Sequence, residues 1–130
     1  MLALAALCLS RATRGVALDL DPDAARAARA NARRNGLARR LDVLCGPLAA
    51  LREAPFALVV ANLLRSELLP LAGEIAARTA VGGCAVVSGL LEAERGEVEA
   101  AFARAGLAPR DARGAGDPAG DRWLALLTAR

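Results

Sequence analysis

The chain has 130 residues, enough for a single domain, and 55% of them are hydrophobic while only 2% are aromatic, so its core must be built from Ala, Leu and Val. The net charge of +3 rests on 17 basic residues, all of them Arg, and that bias removes much of the force from an argument linking charge to nucleic acid. There is no His, and Cys8, Cys45 and Cys84 lie far apart in apolar surroundings; no zinc or redox centre is expected, and the thiols read as small buried hydrophobes in a reducing cytoplasm.

Residues 2–9 are apolar helix formers, and they predict a buried helix ending near Ser10, too short to span a membrane and without the basic start of a signal peptide. Residues 16–20 read as a buried strand. Asp21-Pro22-Asp23 then supplies an N-cap, a proline at the first helical position and an acid in the first turn. That helix runs to Arg34, where Asn35-Gly36 suits a left-handed C-cap. LDVLC (41–45) and ALVVAN (57–62) are strand candidates, and residues 66–79 carry helical periodicity, with Pro70 starting a second helical piece. Gly82-Gly83 predicts a turn, CAVVS (84–88) a further strand, and residues 92–105 a helix closed by Gly106. The alternation predicts an α/β domain with a mostly parallel sheet. The tail breaks it: residues 107–112 and 122–129, with no helix between them, predict an antiparallel hairpin at the sheet edge.

Asp19 stands where the strand at 16–20 gives way to the acidic corner. In open α/β sheets ligands bind outside the carboxyl ends of the strands, where an acid can accept hydrogen bonds from both ribose hydroxyls of a nucleotide. Because Pro22 directly follows Asp21, Asp21 is the better cap, which leaves Asp19 without an evident local task and makes it a candidate ligand residue.

VALDLDPDAARAARANARRNG (16–36) resembles the second motif of class I methyltransferases that use S-adenosylmethionine. FALVVANLLRSELLPLAGEIAARTAVGGCAVVSGLL (56–91) is similar to the ribosomal protein L-eleven methyltransferase family, in which a strand ending V-A-N-I/L-L leads through a helix to a P-G-G turn and a strand ending S-G-I/L-L. The corner Gly120-Asp121-Arg122-Trp123 is similar to that family's G-E-W-like ending. The resemblance implies a Rossmann-like class I methyltransferase sheet with a C-terminal antiparallel hairpin, binding S-adenosylmethionine and methylating amino groups of ribosomal protein L-eleven. Another protein, such as an electron-transfer flavoprotein subunit, is the alternative acceptor.

Carried over by residue, the resemblance makes Asp19 the ribose ligand, with Leu20 beside it, and places Asn62 against the transferred methyl group as the catalytic and cofactor-facing residue. The acid that many such enzymes place after the third strand is replaced by Cys45-Gly46-Pro47-Leu48, so backbone groups near Leu48 are expected to take that role. The family's first strand, its glycine-rich D-x-G-x-G-S-G loop and its N-terminal recognition domain have no counterpart in residues 1–130, which read as a partial catalytic domain. Without that central strand the sheet is expected to fall into two halves, and the chain alone to bind the cofactor weakly and to be inactive. Two other readings stand beside this one, a non-catalytic remnant and an RNA-binding domain. The second would use Arg26, Arg29 and Arg33 at helical spacing; with no Tyr and two Phe to stack on bases, that face reads instead as solvated. The expected setting is a cytoplasmic one, with no membrane partner.

Overall fold

The computed structural model describes residues 2–9, 14–51, 55–116, 120 and 122–130. They fall into two compact units, Met1–Arg52 and Glu53–Arg130. The helix end expected near Ser10, and Asp121 of the corner before Trp123, lie outside the described residues.

The first unit runs α1 (Leu2–Leu9), β1 (Gly15–Asp19), α2 (Pro22–Arg34) and β2 (Leu41–Cys45), followed by a single 3-10 turn at Leu48–Ala50. β1 and β2 are parallel, from Gly15 opposite Leu41 to Asp19 opposite Cys45, and α2 is the crossover that a parallel pair requires. The acidic corner starts α2 as its residue types dictate: the Asp21 carboxylate accepts the N–H of Asp23 at 2.8 Å, and Pro22 opens the helix. At the other end Gly36 takes φ 68°, a conformation that costs a side-chain-bearing residue more. This lets the Leu37 N–H reach back to the Ala32 carbonyl at 2.8 Å. Leu4, Leu7, Ala32, Leu37 and Leu41 form the core of the unit.

Three expectations fail in this unit. β1 is half-buried rather than buried, because β2 is its one strand partner among the described residues. α1 buries Leu4 and Leu7 and leaves Leu9 90% exposed, since one helix face is all that a single packing surface can cover. The cysteines are not core residues either: Cys8 and Cys45 are exposed, and Cys84, in the second unit, is half-buried.

The second unit contains β3 (Phe56–Asn62), α3 (Arg65–Arg78), β4 (Thr79–Leu91), a 3-10 turn at Glu92–Glu94, α4 (Arg95–Arg104), β5 (Ala108–Gly116) and β6 (Arg122–Ala129). Its sheet has the order β3-β4-β6-β5. β3 runs parallel to β4, while β6 is antiparallel to both β4 and β5. The predicted hairpin is therefore present, and β5 is an edge strand. Phe102, Leu107, Leu90, Val87 and Val98 are fully buried, as are Thr79 and Thr128. Both hydroxyls are satisfied: Thr79 donates to the Ile75 carbonyl at 2.9 Å and Thr128 to the Ala85 carbonyl at 3.3 Å.

Two boundaries differ from expectation. α3 passes through Pro70 without a break; the ring removes one N–H, whose partner would be the Ser66 carbonyl, and burial of Leu68, Ala72, Ile75 and Ala76 outweighs that loss. Gly82 and Gly83 lie within β4 instead of forming a turn before it. The Gly82 N–H donates to the Arg130 carbonyl at 3.2 Å and the Arg130 N–H to the Gly83 carbonyl at 3.1 Å, so the C-terminal residue holds this stretch in the sheet. The Arg130 guanidinium also donates to the carbonyls of Ala76 and Thr79, at 2.7 and 2.8 Å, which satisfies the end of α3. No helix among the described residues is long and apolar enough to cross a membrane.

Candidate functional site

The residues singled out in the sequence fall at the carboxyl ends of parallel strands, Asp19, Leu20 and Leu48 in the first unit and Asn62 in the second. Asp19 ends β1 with its carboxylate exposed. It does have a local task, contrary to expectation: Oδ1 accepts the N–H of Asp21 at 3.0 Å, tying the strand end to the helix cap. This bond engages one of the two carboxylate oxygens. The Gly46 N–H donates to the Asp19 carbonyl at 2.9 Å and the Cys45 thiol to the Leu20 carbonyl at 3.7 Å, so the ends of β1 and β2 are fastened together. Leu20 is 72% exposed, an apolar surface beside the acid. Leu48 opens the 3-10 turn, where its N–H precedes any carbonyl the turn could offer it.

Asn62 ends β3 opposite Ser88 of β4. In a parallel pair such neighbours project from the same face, and here the Ser88 hydroxyl donates to Asn62 Oδ1 at 3.0 Å. The next residue, Gly89, adopts φ 86°, and a Cβ there would stand 2.9 Å from Asn62 Oδ1 and 2.7 Å from the Leu63 carbonyl oxygen. The Leu63 N–H donates to the Ser88 carbonyl at 3.0 Å. Beyond it the Leu64 N–H is held by Glu67 Oε2 at 3.1 Å, which starts α3. The Asn62 amide is thus exposed but has the Gly89 backbone close against its Oδ1. It opens into a cavity of about 610 Å³ lined also by Glu67, Arg113, Trp123 and Leu124. Trp123 is 41% exposed there.

Two of the three arginines considered for RNA are engaged within the first unit: Arg26 pairs with Asp23, and the Arg29 guanidinium donates to the Val43 carbonyl at 2.8 Å. Among the described residues no group of three or more Asp, Glu, Cys or His is placed to hold a metal ion.

A family model described as ribosomal protein L11 methyltransferase (PrmA) matches residues 1–117. The chain belongs to the ribosomal protein L11 methyltransferase family. It is 41% identical over 128 residues to the ribosomal protein L11 methyltransferase of Pelotomaculum thermopropionicum, covering 97% of this chain and 39% of that protein. It is similar in structure to the ribosomal protein L11 methylase of Lactobacillus delbrueckii subsp. bulgaricus, with a TM-score of 0.87 and 29% identity over 99% of this chain and 64% of that one. A structure described as cofactor-bound Rv0187 from MTB is similar at a TM-score of 0.66 and 25% identity, covering 90% of this chain and 62% of that one. The chain spans 31 to 40% of the length of the curated relatives it matches. The α/β fold is thus that of class I methyltransferases, as the resemblance of residues 16–36 had implied.

Ser88, Gly89 and Trp123 were quoted within motifs but given no role. The available signal was that the strand candidates 57–62 and 84–88 both end on a short polar residue, so that the two side chains meet if the strands are neighbours in register.

Proposed function

We propose that this chain supplies catalytic-domain residues of a protein N-methyltransferase that uses S-adenosylmethionine and modifies amino groups of ribosomal protein L11, in the cytoplasm where that protein is made. The observation that carries this reading is the Asn62 amide, held at the end of β3 by Ser88 of the neighbouring parallel strand and opening into a cavity with Trp123 in its wall. A neutral acceptor amine needs alignment more than activation, and that is worth several orders of magnitude when the reacting atoms are held in line. The remaining acceptor capacity of Asn62 Oδ1, together with the strand-end backbone carbonyls, suits the N–H groups of such an amine.

The residues of the first unit fit the adenosine portion of the cofactor: Asp19 keeps Oδ2 for ribose hydroxyls, Leu20 offers an apolar face to a flat ring, and the Leu48 N–H provides a donor for a ring nitrogen. When bound, S-adenosylmethionine supplies an activated methyl group on sulfonium. The protein then has no need of an acid, a metal or a covalent nucleophile.

The test uses a form of the protein spanning the relatives' full length, incubated with methyl-labelled cofactor and purified ribosomal protein L11. Label in L11 is the expected result. Absence of label from L11 overturns the acceptor assignment, and absence of label from every ribosomal protein overturns the reading as a whole.

A further inference from the structure

We infer that Ser88 is a positioning residue, holding the Asn62 amide in its working orientation before an acceptor arrives; the inference rests on the reading of Asn62 just given. An exposed Asn at a strand end has several side-chain orientations open to it, and fixing one of them costs entropy at the moment of reaction unless the fold has already done so. Here three features fix it. The paired register sets Ser88 beside Asn62 on one face, and the Ser88 hydroxyl spends its single proton on Asn62 Oδ1 at 3.0 Å. The left-handed Gly89 brings backbone against that oxygen, with room for a hydrogen but not for a methyl group. The Leu63 N–H bond to the Ser88 carbonyl fastens the backbone that follows Asn62 to the same residue of β4.

The chemical consequence concerns which end of the amide meets the acceptor. With the Ser88 hydroxyl donating to Oδ1, the amide carbonyl is turned toward β4, and the bond polarises that carbonyl while using one of its two lone pairs. The second lone pair, the one left for an amine N–H, then has a fixed direction. Without Ser88, rotation about χ2 would exchange Oδ1 and Nδ2, so that the amide would present a donor where an acceptor is needed.

The experiment uses the full-length form and the variants Ser88→Ala, Ser88→Thr, Asn62→Ala and Ser88→Ala/Asn62→Ala. Ser88→Ala is expected to lower kcat about five- to tenfold, the scale of one neutral hydrogen bond. KM for L11 and cofactor Kd should stay within about twofold. Ser88→Thr, which keeps the hydroxyl, should recover most of the loss. In the Asn62→Ala background, removing the Ser88 hydroxyl should cost nothing further, because the group it positions is gone. An unchanged kcat in Ser88→Ala, or the same loss in both backgrounds, overturns the inference. If the parent enzyme methylates nothing, the reading of Asn62 fails separately, and the side-chain NH2 signals of Asn62 decide the positioning role by themselves. They should shift and exchange faster in Ser88→Ala; signals identical to the parent's overturn it.

Discussion

β1 and β4 are built from the same residue types, Val, Ala and Leu, yet one is half-buried along its length while Ala85, Val87 and Leu90 of the other are sealed from solvent. Composition does not separate them; neighbours do. β4 lies between β3 and β6 and under α3, whereas β1 has β2 as its one strand partner among the described residues. Two-stranded pairs are marginal in water, and three or more strands with a covered face are what confers independent stability. On the function proposed above, the first unit carries the residues assigned to the cofactor and the second the amide assigned to the acceptor.

Amide hydrogen exchange is the broadest way to break that comparison. Amides of β4 and β6 are expected to exchange roughly a thousandfold more slowly than those of β1, because their opening requires disruption of a fully packed sheet. Equal protection in the two units would show that they unfold as one body and that the difference in burial has no energetic consequence. Core truncations sharpen the same contrast. Phe102→Ala removes a fully buried ring and should destabilise the second unit by about 3–5 kcal/mol, against about 2–3 kcal/mol for Leu7→Ala in the first. Denaturant melts followed by probes placed in each unit would measure both, and a single coincident transition for every variant would erase the distinction.

At the level of the site, the contrast predicts opposite kinetic signatures in the full-length form. Asn62→Ala should lower turnover about a hundredfold through lost alignment while leaving cofactor affinity within about twofold. Asp19→Ala should instead weaken cofactor binding about ten- to a hundredfold, the worth of a charge-assisted hydrogen bond to ribose, with a smaller effect on turnover at saturating cofactor. Equal losses in binding and turnover for Asn62→Ala would assign that residue a structural role.

Much of this was legible in the residues. Asp21-Pro22-Asp23 and Asn35-Gly36 bound α2 as their local chemistry dictates, because caps and left-handed turns are decided within a few residues. The hairpin of β5 and β6 followed from a tail that lacks a helix between two strands. What could not be read was set by contacts distant in sequence. Pro70 stays inside α3 because the buried face of that helix outweighs one lost hydrogen bond, and Gly82-Gly83 joins β4 because Arg130, some fifty residues further on, bonds to both. Burial of Cys8 and Cys45 was overestimated for the same reason: an apolar neighbourhood in sequence does not say which face finds a partner. Asp19 was legible as an acid ending an apolar strand, whereas the role proposed for Asn62 came from the resemblance to the family. Ser88 carries no such signal by itself, since the role proposed for it depends on the register that sets it opposite Asn62.

The smallest effect separates two adjacent acids whose roles the sequence alone could not fully part. Asp21 caps α2 through its side chain, accepting the Asp23 N–H at 2.8 Å, while Asp19 accepts the Asp21 N–H at 3.0 Å. The donor in the second bond is backbone, so it survives Asp21→Ala, and the Asp19 carboxylate keeps the contact that orients it. Asp21→Ala is therefore expected to cost the first unit about 1 kcal/mol, the usual loss for an N-cap, and to leave cofactor affinity unchanged within about twofold when measured by calorimetry well below the melting temperature. Asp19→Ala should reverse the pattern, with little change in stability and a clear loss of affinity, since the bond it removes lies on the exposed surface and its donor can turn to water. If Asp21→Ala weakens the cofactor as much as Asp19→Ala does, the whole acidic corner acts as one rigid ligand and the separate ribose role assigned to Asp19 is wrong.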